Sequence, residues 1–127
     1  KRAIQINPTN NNYYFNLYFL YNSNKDYDEA LKSISSAIQL DPSQPEYYSL
    51  RAQLYMNLKY WDEAILDFDK FINSDRVIGS YAYFQRAIAK LYLQERTACK
   101  DLEKAYNISE NEDEKKAIQM WYKKYCK

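Results

Sequence analysis

The chain repeats itself at an interval of 34 residues. The segment AIQINP, which begins at Ala3, returns as AIQLDP from Ala37, and YDEAL from Tyr27 returns as WDEAI from Trp61. An interval of this size is typical of solenoids, which are built from stacked helical or strand units. Each unit of such an array buries its apolar face only against its neighbours. The repeat therefore predicts a single domain built from stacked units.

Within a unit the apolar residues recur every three or four positions. Tyr14, Leu17 and Tyr21 share one face of a predicted helix, and Ala30 and Ile34 share a face of the next one. This period is typical of amphipathic helices. Each unit is therefore predicted to be a pair of helices joined by a turn.

These residues resemble the tetratricopeptide repeat family. The resemblance rests on the 34-residue period, on the Tyr or Trp followed by Asp-Glu-Ala that opens the second helix, and on the closing AIQLDP segment. It implies an all-α, right-handed superhelical solenoid of antiparallel helix pairs with a C-terminal capping helix, and a family that usually binds other proteins. Tyr18 departs from the pattern, because the family usually has Gly or Ala there. We expect Tyr18 to push the first helix pair apart.

The repeat divides the chain into five segments. Residues 1–10 are predicted to be the tail of a truncated repeat, and residues 11–44 and 45–78 to be two full repeats. Residues 79–111 form a third repeat that is one residue shorter, and residues 112–127 form the capping helix. The incomplete first unit predicts a fragment of a longer array.

Two helix starts are predicted from capping-box patterns, in which an N-cap side chain and a Glu three residues later satisfy free backbone amides. Asp26 with Glu29 has this spacing before the second helix of the first repeat. Ser109 with Glu112 has it before the capping helix.

Composition excludes several function classes. The sequence has no His, which removes His metal sites and His-activated nucleophiles, and its one Gly, Gly79, cannot form a glycine-rich phosphate loop. A net charge of +1 gives no general attraction to nucleic acid, and no apolar run is long enough for membrane insertion. The prediction is a non-enzymatic chain without cofactor or metal.

The two cysteines form neither a CxxC pair nor a disulfide framework by spacing. Cys99 stands where the other repeats have Leu31 and Ile65, so it is expected to be a small buried core residue. Cys126 is expected to be exposed near the terminus. Unpaired cysteines are typical of a reducing compartment, and we predict a cytoplasmic, intracellular location.

Two repeat positions are uncharged in the first repeat, as Leu17 and Ser33, and charged in the next two. Because the charges come and go together, we predict ion pairs between the two helices of a repeat. The alternative is that the arginines bind an acidic ligand. Asp69 is assigned to a solvated helix face. The predicted structural pairs are Arg51 with Asp67 and Arg86 with Asp101.

In such solenoids the first helices of successive repeats line a concave groove. Several of the side chains expected there are aromatic or apolar, of the kind that dominates protein interfaces. The alternative is that neighbouring helices bury these rings in a chain that has 15 Tyr. The predicted groove residues are Phe15, Asn16, Phe19, Leu50, Gln53, Met56, Asn57, Tyr81, Phe84, Gln85 and Ile88.

The predicted function is a protein–protein interaction module that binds a peptide or helix of another protein in this groove. A structural spacer with weak self-association is the alternative. A chaperone-tail-binding domain is a third hypothesis, since related domains hold the tail carboxylates with Lys, Arg and Asn. Here the corresponding positions hold Phe15 and Phe19, Leu50, and Tyr81 and Gln85, which argues against that clamp.

Overall fold

The computed structural model describes residues 11–74 and 78–126. The predicted tail 1–10 therefore lies outside the described residues. In these two ranges every regular element is a helix, and no helix is long and apolar enough to cross a membrane. The helices are α1 Asn11–Ser23, α2 Tyr27–Leu40, α3 Pro45–Leu58, α4 Trp61–Ile72, α5 Ser80–Tyr92, α6 Ala98–Ile108 and α7 Glu112–Tyr125.

The helices form an all-α solenoid, which confirms the predicted fold class. Helix α1 packs on α2, α3 on α4, and α5 on α6, while α2 contacts α3, α4 contacts α5, and α7 closes the array on α6. Each helix thus contacts mainly its neighbours along the chain. This is the pattern expected when every unit buries its apolar face by stacking.

The turn inside each helix pair has the same geometry. Lys25, Lys59 and Gln94 each adopt a left-handed conformation, with φ of 61°, 65° and 61°. The next amide then donates across the turn to a carbonyl five residues earlier, the Schellman arrangement that closes a helix C-terminus. These bonds are Asp26 N to Tyr21 O at 2.8 Å, Tyr60 N to Tyr55 O at 2.8 Å, and Glu95 N to Lys90 O at 2.9 Å.

Alanines at the repeat interval lie in the core. Ala30, Ala64 and Ala98 are all 0% exposed, so the paired helices approach each other closely at these points. Larger side chains fill the space between pairs, and Phe68 is also completely buried. Tyr18, at 3% exposed, belongs to the core cluster of the first pair. The ring of Tyr18 fits in this core, and α1 and α2 still pack against each other, so Tyr18 does not push the first helix pair apart.

Both capping-box predictions are wrong in detail. Asp26 precedes α2, but its side chain makes no capping hydrogen bond. The N-cap of α7 is Asn111, whose side chain accepts a hydrogen bond from the amide of Glu114 at 2.9 Å. The Ser109 hydroxyl instead donates to Glu114 Oε1 at 2.6 Å. The cap therefore lies two residues later than predicted, because Asn is as good an N-cap as Ser.

The cysteine prediction is also wrong. Cys99 and Cys126 form a disulfide, with their Cα atoms 5.9 Å apart, and Cys126 is buried at 6% exposed. Cys99 is the second residue of α6, and Cys126 follows the last residue of α7. The beginning of α6 and the end of α7 therefore meet, although the two cysteines are 27 positions apart in sequence.

Candidate functional site

The predicted groove residues lie on α1, α3 and α5, the first helix of each pair. Their exposure divides them into three groups. Phe19, at 48%, and Tyr81, at 47%, are the most exposed of the large apolar side chains in the set, and Asn16 and Asn57 are exposed amides. Phe84 is buried, and the others are half-buried: Phe15, Leu50, Gln53, Met56, Gln85 and Ile88.

An aromatic cluster joins α1 to α3. The ring of Phe15 lies 4.8 Å from that of Phe19 and 5.3 Å from that of Tyr47, measured between centroids. The Tyr18 ring lies 5.0 Å from that of Phe19. These are ordinary edge and tilted aromatic contacts. Phe19 is thus an exposed ring packed against the half-buried Phe15 and the buried Tyr18, and Tyr47, which contacts Phe15, is a supporting residue that the sequence analysis did not select.

Helix α5 carries Tyr81, the second exposed ring of the predicted set. Burial raises the pKa of the Tyr18 phenol above its ordinary value, and the nearby phenol of Tyr81 raises it further. Burial also raises the pKa of Tyr81 itself. Phe19 on α1 and Tyr81 on α5 are thus two exposed rings on the first helices of two different repeats.

Phe84 belongs to the core. It is 9% exposed and shares a cluster with Leu102 on α6 and Ile118 on α7. Phe15, at the same position in the first repeat, stays half-buried because its neighbours there are Tyr47 and Phe19. The ring of Phe84 is therefore unavailable to a partner in this conformation.

Arg51 links three helices. Its Nε donates to Asp67 Oδ2 at 2.7 Å and its Nη2 donates to Asp67 Oδ1 at 3.0 Å, a bidentate contact between α3 and α4. Its Nη1 donates to Ser35 Oγ on α2 at 3.2 Å. The side chain of Asp67 is 4% exposed and that of Arg51 is 20% exposed. The hydrogen bonds to Asp67 raise the pKa of Arg51 further above its usual value.

Arg86 repeats this arrangement one unit later. Its Nε and Nη2 donate to the two carboxylate oxygens of Asp101, both at 2.8 Å, and its Nη1 donates to Asp69 on α4 at 2.7 Å. Lys90 adds a second cation 3.1 Å from Asp101. The Asp69 side chain is 41% exposed, as expected of a solvated face, but that assignment missed its bond to Arg86. Asp69 lies one repeat interval after Ser35, and that spacing could have revealed its role.

These contacts determine what the charged residues can do. Each guanidinium forms three hydrogen bonds inside the protein, two of them a bidentate contact with an aspartate, so the charge of each arginine is already paired. Among the described residues, no buried side-chain nitrogen or oxygen lacks a hydrogen-bond partner. Nor does that part of the chain bring three or more metal-ligating side chains together.

A separate open cavity of about 590 Å³ lies between α6 and α7. Leu102, Tyr106 and Ile118 form part of its wall. Tyr122 donates to Glu103 at 2.9 Å across the two helices, and Gln119 donates to the Tyr106 hydroxyl at 3.3 Å. The cavity lies at the contact of the capping helix with α6, and none of the predicted groove residues lines it.

Comparison with known proteins identifies the family. Residues 20–59 match a family described as TPR repeat, and residues 45–77 match one described as Tetratricopeptide repeat. No curated protein matches the sequence. With the helix pairs described above, these matches show that the chain contains tetratricopeptide repeats.

Several solved structures share the fold. YrrB, described as a TPR protein with an unusual peptide-binding site, is 22% identical, with a TM-score of 0.78 over 92% of this chain and 60% of its own. The TPR2B domain of yeast Sti1 in a complex with pHsp70 is 24% identical, with a TM-score of 0.76 over 91% and 94%. The first TPR of Spaghetti (RPAP3), bound to the HSP90 peptide SRMEEVD, is 28% identical, with a TM-score of 0.68 over 81% and 85%. The chain spans 60% of the YrrB chain and 63% of MamA, another similar structure.

Proposed function

We propose that this protein is a non-catalytic interaction module that binds a peptide or helix of another protein along α1, α3 and α5. The observation that carries the proposal is the exposure of two large rings, Phe19 and Tyr81, on the first helices of two repeats, with Phe19 packed against Phe15 and Tyr18. Rigid aromatic side chains supply large contact areas at little entropic cost and are frequent binding hot spots. The similar structures described as peptide complexes support the same kind of role.

The chemistry of the surface favours an uncharged partner segment. Among the eleven predicted groove residues there is no Lys, Arg, Asp or Glu. The amides Asn16 and Asn57 are exposed, and Gln53 and Gln85 are half-buried, so they can bond the backbone of an extended peptide. We therefore propose a partner segment rich in apolar and aromatic side chains.

This chemistry separates the protein from its chaperone-binding neighbours. The peptide in the Spaghetti structure, SRMEEVD, ends in several carboxylates. A site for such a tail needs several convergent cationic donors. Here the corresponding positions hold Phe15, Phe19, Leu50, Tyr81 and Gln85, and both Arg51 and Arg86 are occupied by aspartates. Binding of an acidic chaperone tail is therefore the less favoured function.

A structural role is the second candidate. Leu20 at 56%, Leu66 at 61% and Met120 at 71% are exposed apolar side chains on three different helices. Neighbouring segments of a larger scaffold or a second copy of the chain could cover such positions. Sedimentation at increasing protein concentration tests this alternative, because self-association would raise the apparent mass.

The cytoplasmic location stays a prediction. It was argued from two unpaired cysteines, and that argument no longer holds because Cys99 and Cys126 are bonded to each other.

Peptide selection followed by mapping tests the proposed function. Displayed random peptides are selected on the folded protein, and a selected peptide is titrated while backbone amide chemical shifts are followed. We expect apolar, aromatic sequences and shift changes concentrated on α1, α3 and α5, with SRMEEVD producing none. Selection of acidic tails, or changes confined to α6 and α7, would contradict the proposal.

A further inference from the structure

The disulfide holds the C-terminal end of the capping helix. Helix α7 enters from α6 through the short turn at residues 109–111, and its far end is joined covalently to the start of α6 through Cys126 and Cys99. Within the described residues this is the one disulfide, and it closes a segment that contains most of α6 and all of α7.

The two ends of α7 are held by different forces. At the N-terminal end, Glu114 Oε1 accepts hydrogen bonds from Ser80 on α5 and from Ser109, both at 2.6 Å. Asn111 caps the first turn at 2.9 Å. This end therefore has polar contacts that do not depend on the oxidation state of sulfur.

The noncovalent contacts of the C-terminal half of α7 are largely open to solvent. Ile118 is the one helix residue of α7 that is buried, and beyond it Trp121 and Tyr122 are only partly covered. Met120 is 71% exposed and Tyr125 is 49% exposed. The hydrogen bond from Tyr122 to Glu103 is also exposed to solvent. Packing of this kind is typical of segments that open locally at low free-energy cost.

We propose that the Cys99–Cys126 disulfide is a redox latch on the capping helix. When a dithiol reductant breaks the bond, the C-terminal half of α7 separates from α6 while the preceding helix pairs stay folded. Separation removes Cys126 from the core cluster that contains Leu102 and Ala105 on α6, together with Trp121 and Tyr122, which pack against that cluster. It therefore exposes an apolar face of α6 that the oxidised protein keeps covered.

The chemistry is ordinary thiol–disulfide exchange. A thiolate of the reductant attacks one sulfur, the Sγ–Sγ bond breaks, and a mixed disulfide forms. The second thiol of the reductant then displaces the protein sulfur. The protein gains two electrons and two protons as two thiols, and the reductant becomes a disulfide. Cys99 is partly exposed, whereas Cys126 is 6% exposed, so Cys99 is the more accessible side of the bond.

Hydrogen–deuterium exchange with and without dithiothreitol tests the latch. We expect reduction to accelerate exchange of the amides in residues 118–126 by about tenfold or more, with exchange in α1 to α4 unchanged. The matched control is Cys99→Ser with Cys126→Ser, which should exchange rapidly at this end whether or not reductant is present. The experiment on wild-type protein needs no variant, so a misfolded variant would not prevent the test.

Three results would overturn the proposal. The native protein could titrate as two free thiols before any reductant is added, so that no bond exists to break. Full reduction could leave exchange at residues 118–126 unchanged, so that noncovalent packing alone holds the helix. Reduction could also accelerate exchange equally in all helices, in which case the disulfide stabilises the whole fold and is not a local latch.

Discussion

Replacing Asp67 with Ser should destabilise the protein through the arginine that it leaves behind. The carboxylate of Asp67 accepts two hydrogen bonds from Arg51, at 2.7 Å and 3.0 Å, and its side chain is only 4% exposed. Without it, the guanidinium keeps a hydrogen bond to Ser35 and lies 5.9 Å and 5.8 Å from the rings of Tyr48 and Tyr55.

The size of the effect follows from burial. Removing one partner of a buried ion pair typically costs about 3–5 kcal/mol, because the other charge is left uncompensated. The Arg51 side chain is 20% exposed and retains the Ser35 contact, so water and the hydroxyl offset part of the loss. We therefore expect a loss of about 3 kcal/mol from the free energy of unfolding. For a chain of this size that lowers the thermal midpoint by roughly 10 °C.

The first repeat supplies the matched control. It has Leu17 and Ser33 at the positions of Arg51 and Asp67, and the Ser33 hydroxyl donates to the carbonyl of Glu29 at 3.0 Å. A serine at position 67 can donate in the same way to the carbonyl of Glu63. The double replacement Arg51→Leu with Asp67→Ser should therefore recover most of the loss, to within about 1 kcal/mol of wild type.

Urea unfolding followed by circular dichroism measures all three proteins. The reasoning is refuted if Asp67→Ser alone changes the free energy of unfolding by less than about 1 kcal/mol, the range of an exposed ion pair. It is also refuted if the double variant is as unstable as the single one.

Three further predictions concern the core, the second ion-pair network and pH. Phe68→Ala should cost about 3–5 kcal/mol in urea unfolding, because Phe68 is completely buried and its removal leaves a cavity; a loss below 1 kcal/mol would contradict its place in the core. In the same assay Asp69→Ala should cost under about 1 kcal/mol, because the Asp69 side chain is 41% exposed. Asp101→Ala should cost several times more, because the Asp101 side chain is only 8% exposed. Equal losses for the two variants would refute this ranking. Burial raises the pKa of Tyr55 above its ordinary value near 10, so the unfolded chain loses this proton at a lower pH than the folded protein does. The contribution of Tyr55 to the free energy of unfolding is therefore fully present below pH 10 and is lost as the pH rises above it. Unfolding free energies measured across this range should fall with pH, and Tyr55→Phe should make the fall less steep; an identical slope in the variant would argue against a contribution from Tyr55.

The 34-residue interval predicts most of the fold, because every unit must bury its apolar face against its neighbours with the same spacing. Ala30, Ala64 and Ala98 are spaced for one close helix contact per unit, and all three are completely buried. The turns inside the pairs were less accessible to sequence reasoning. They use Lys25 and Lys59 in a left-handed conformation where Gly is the usual signal, so the residue type gave no indication of the geometry.

The candidate site was harder to predict because exposure depends on neighbouring units. Phe15 and Phe84 occupy the same repeat position, yet the second is buried by contacts to α6 and the capping helix. The disulfide was missed for a similar reason. Spacing alone does not reveal that Cys99 and Cys126 lie at ends of two helices that meet. The second contact of each arginine, to Ser35 or Asp69, becomes visible only when adjacent repeats are compared.

The most direct test of the central claim is the affinity of one selected peptide for three forms of the protein, measured by fluorescence anisotropy. The forms are wild type, Phe19→Glu with Tyr81→Glu, and Leu66→Glu, an apolar-to-Glu change at a 61% exposed residue on α4. Binding along α1, α3 and α5 predicts at least about a tenfold loss for the double variant and wild-type affinity for Leu66→Glu. Equal affinity of all three folded proteins would contradict the account.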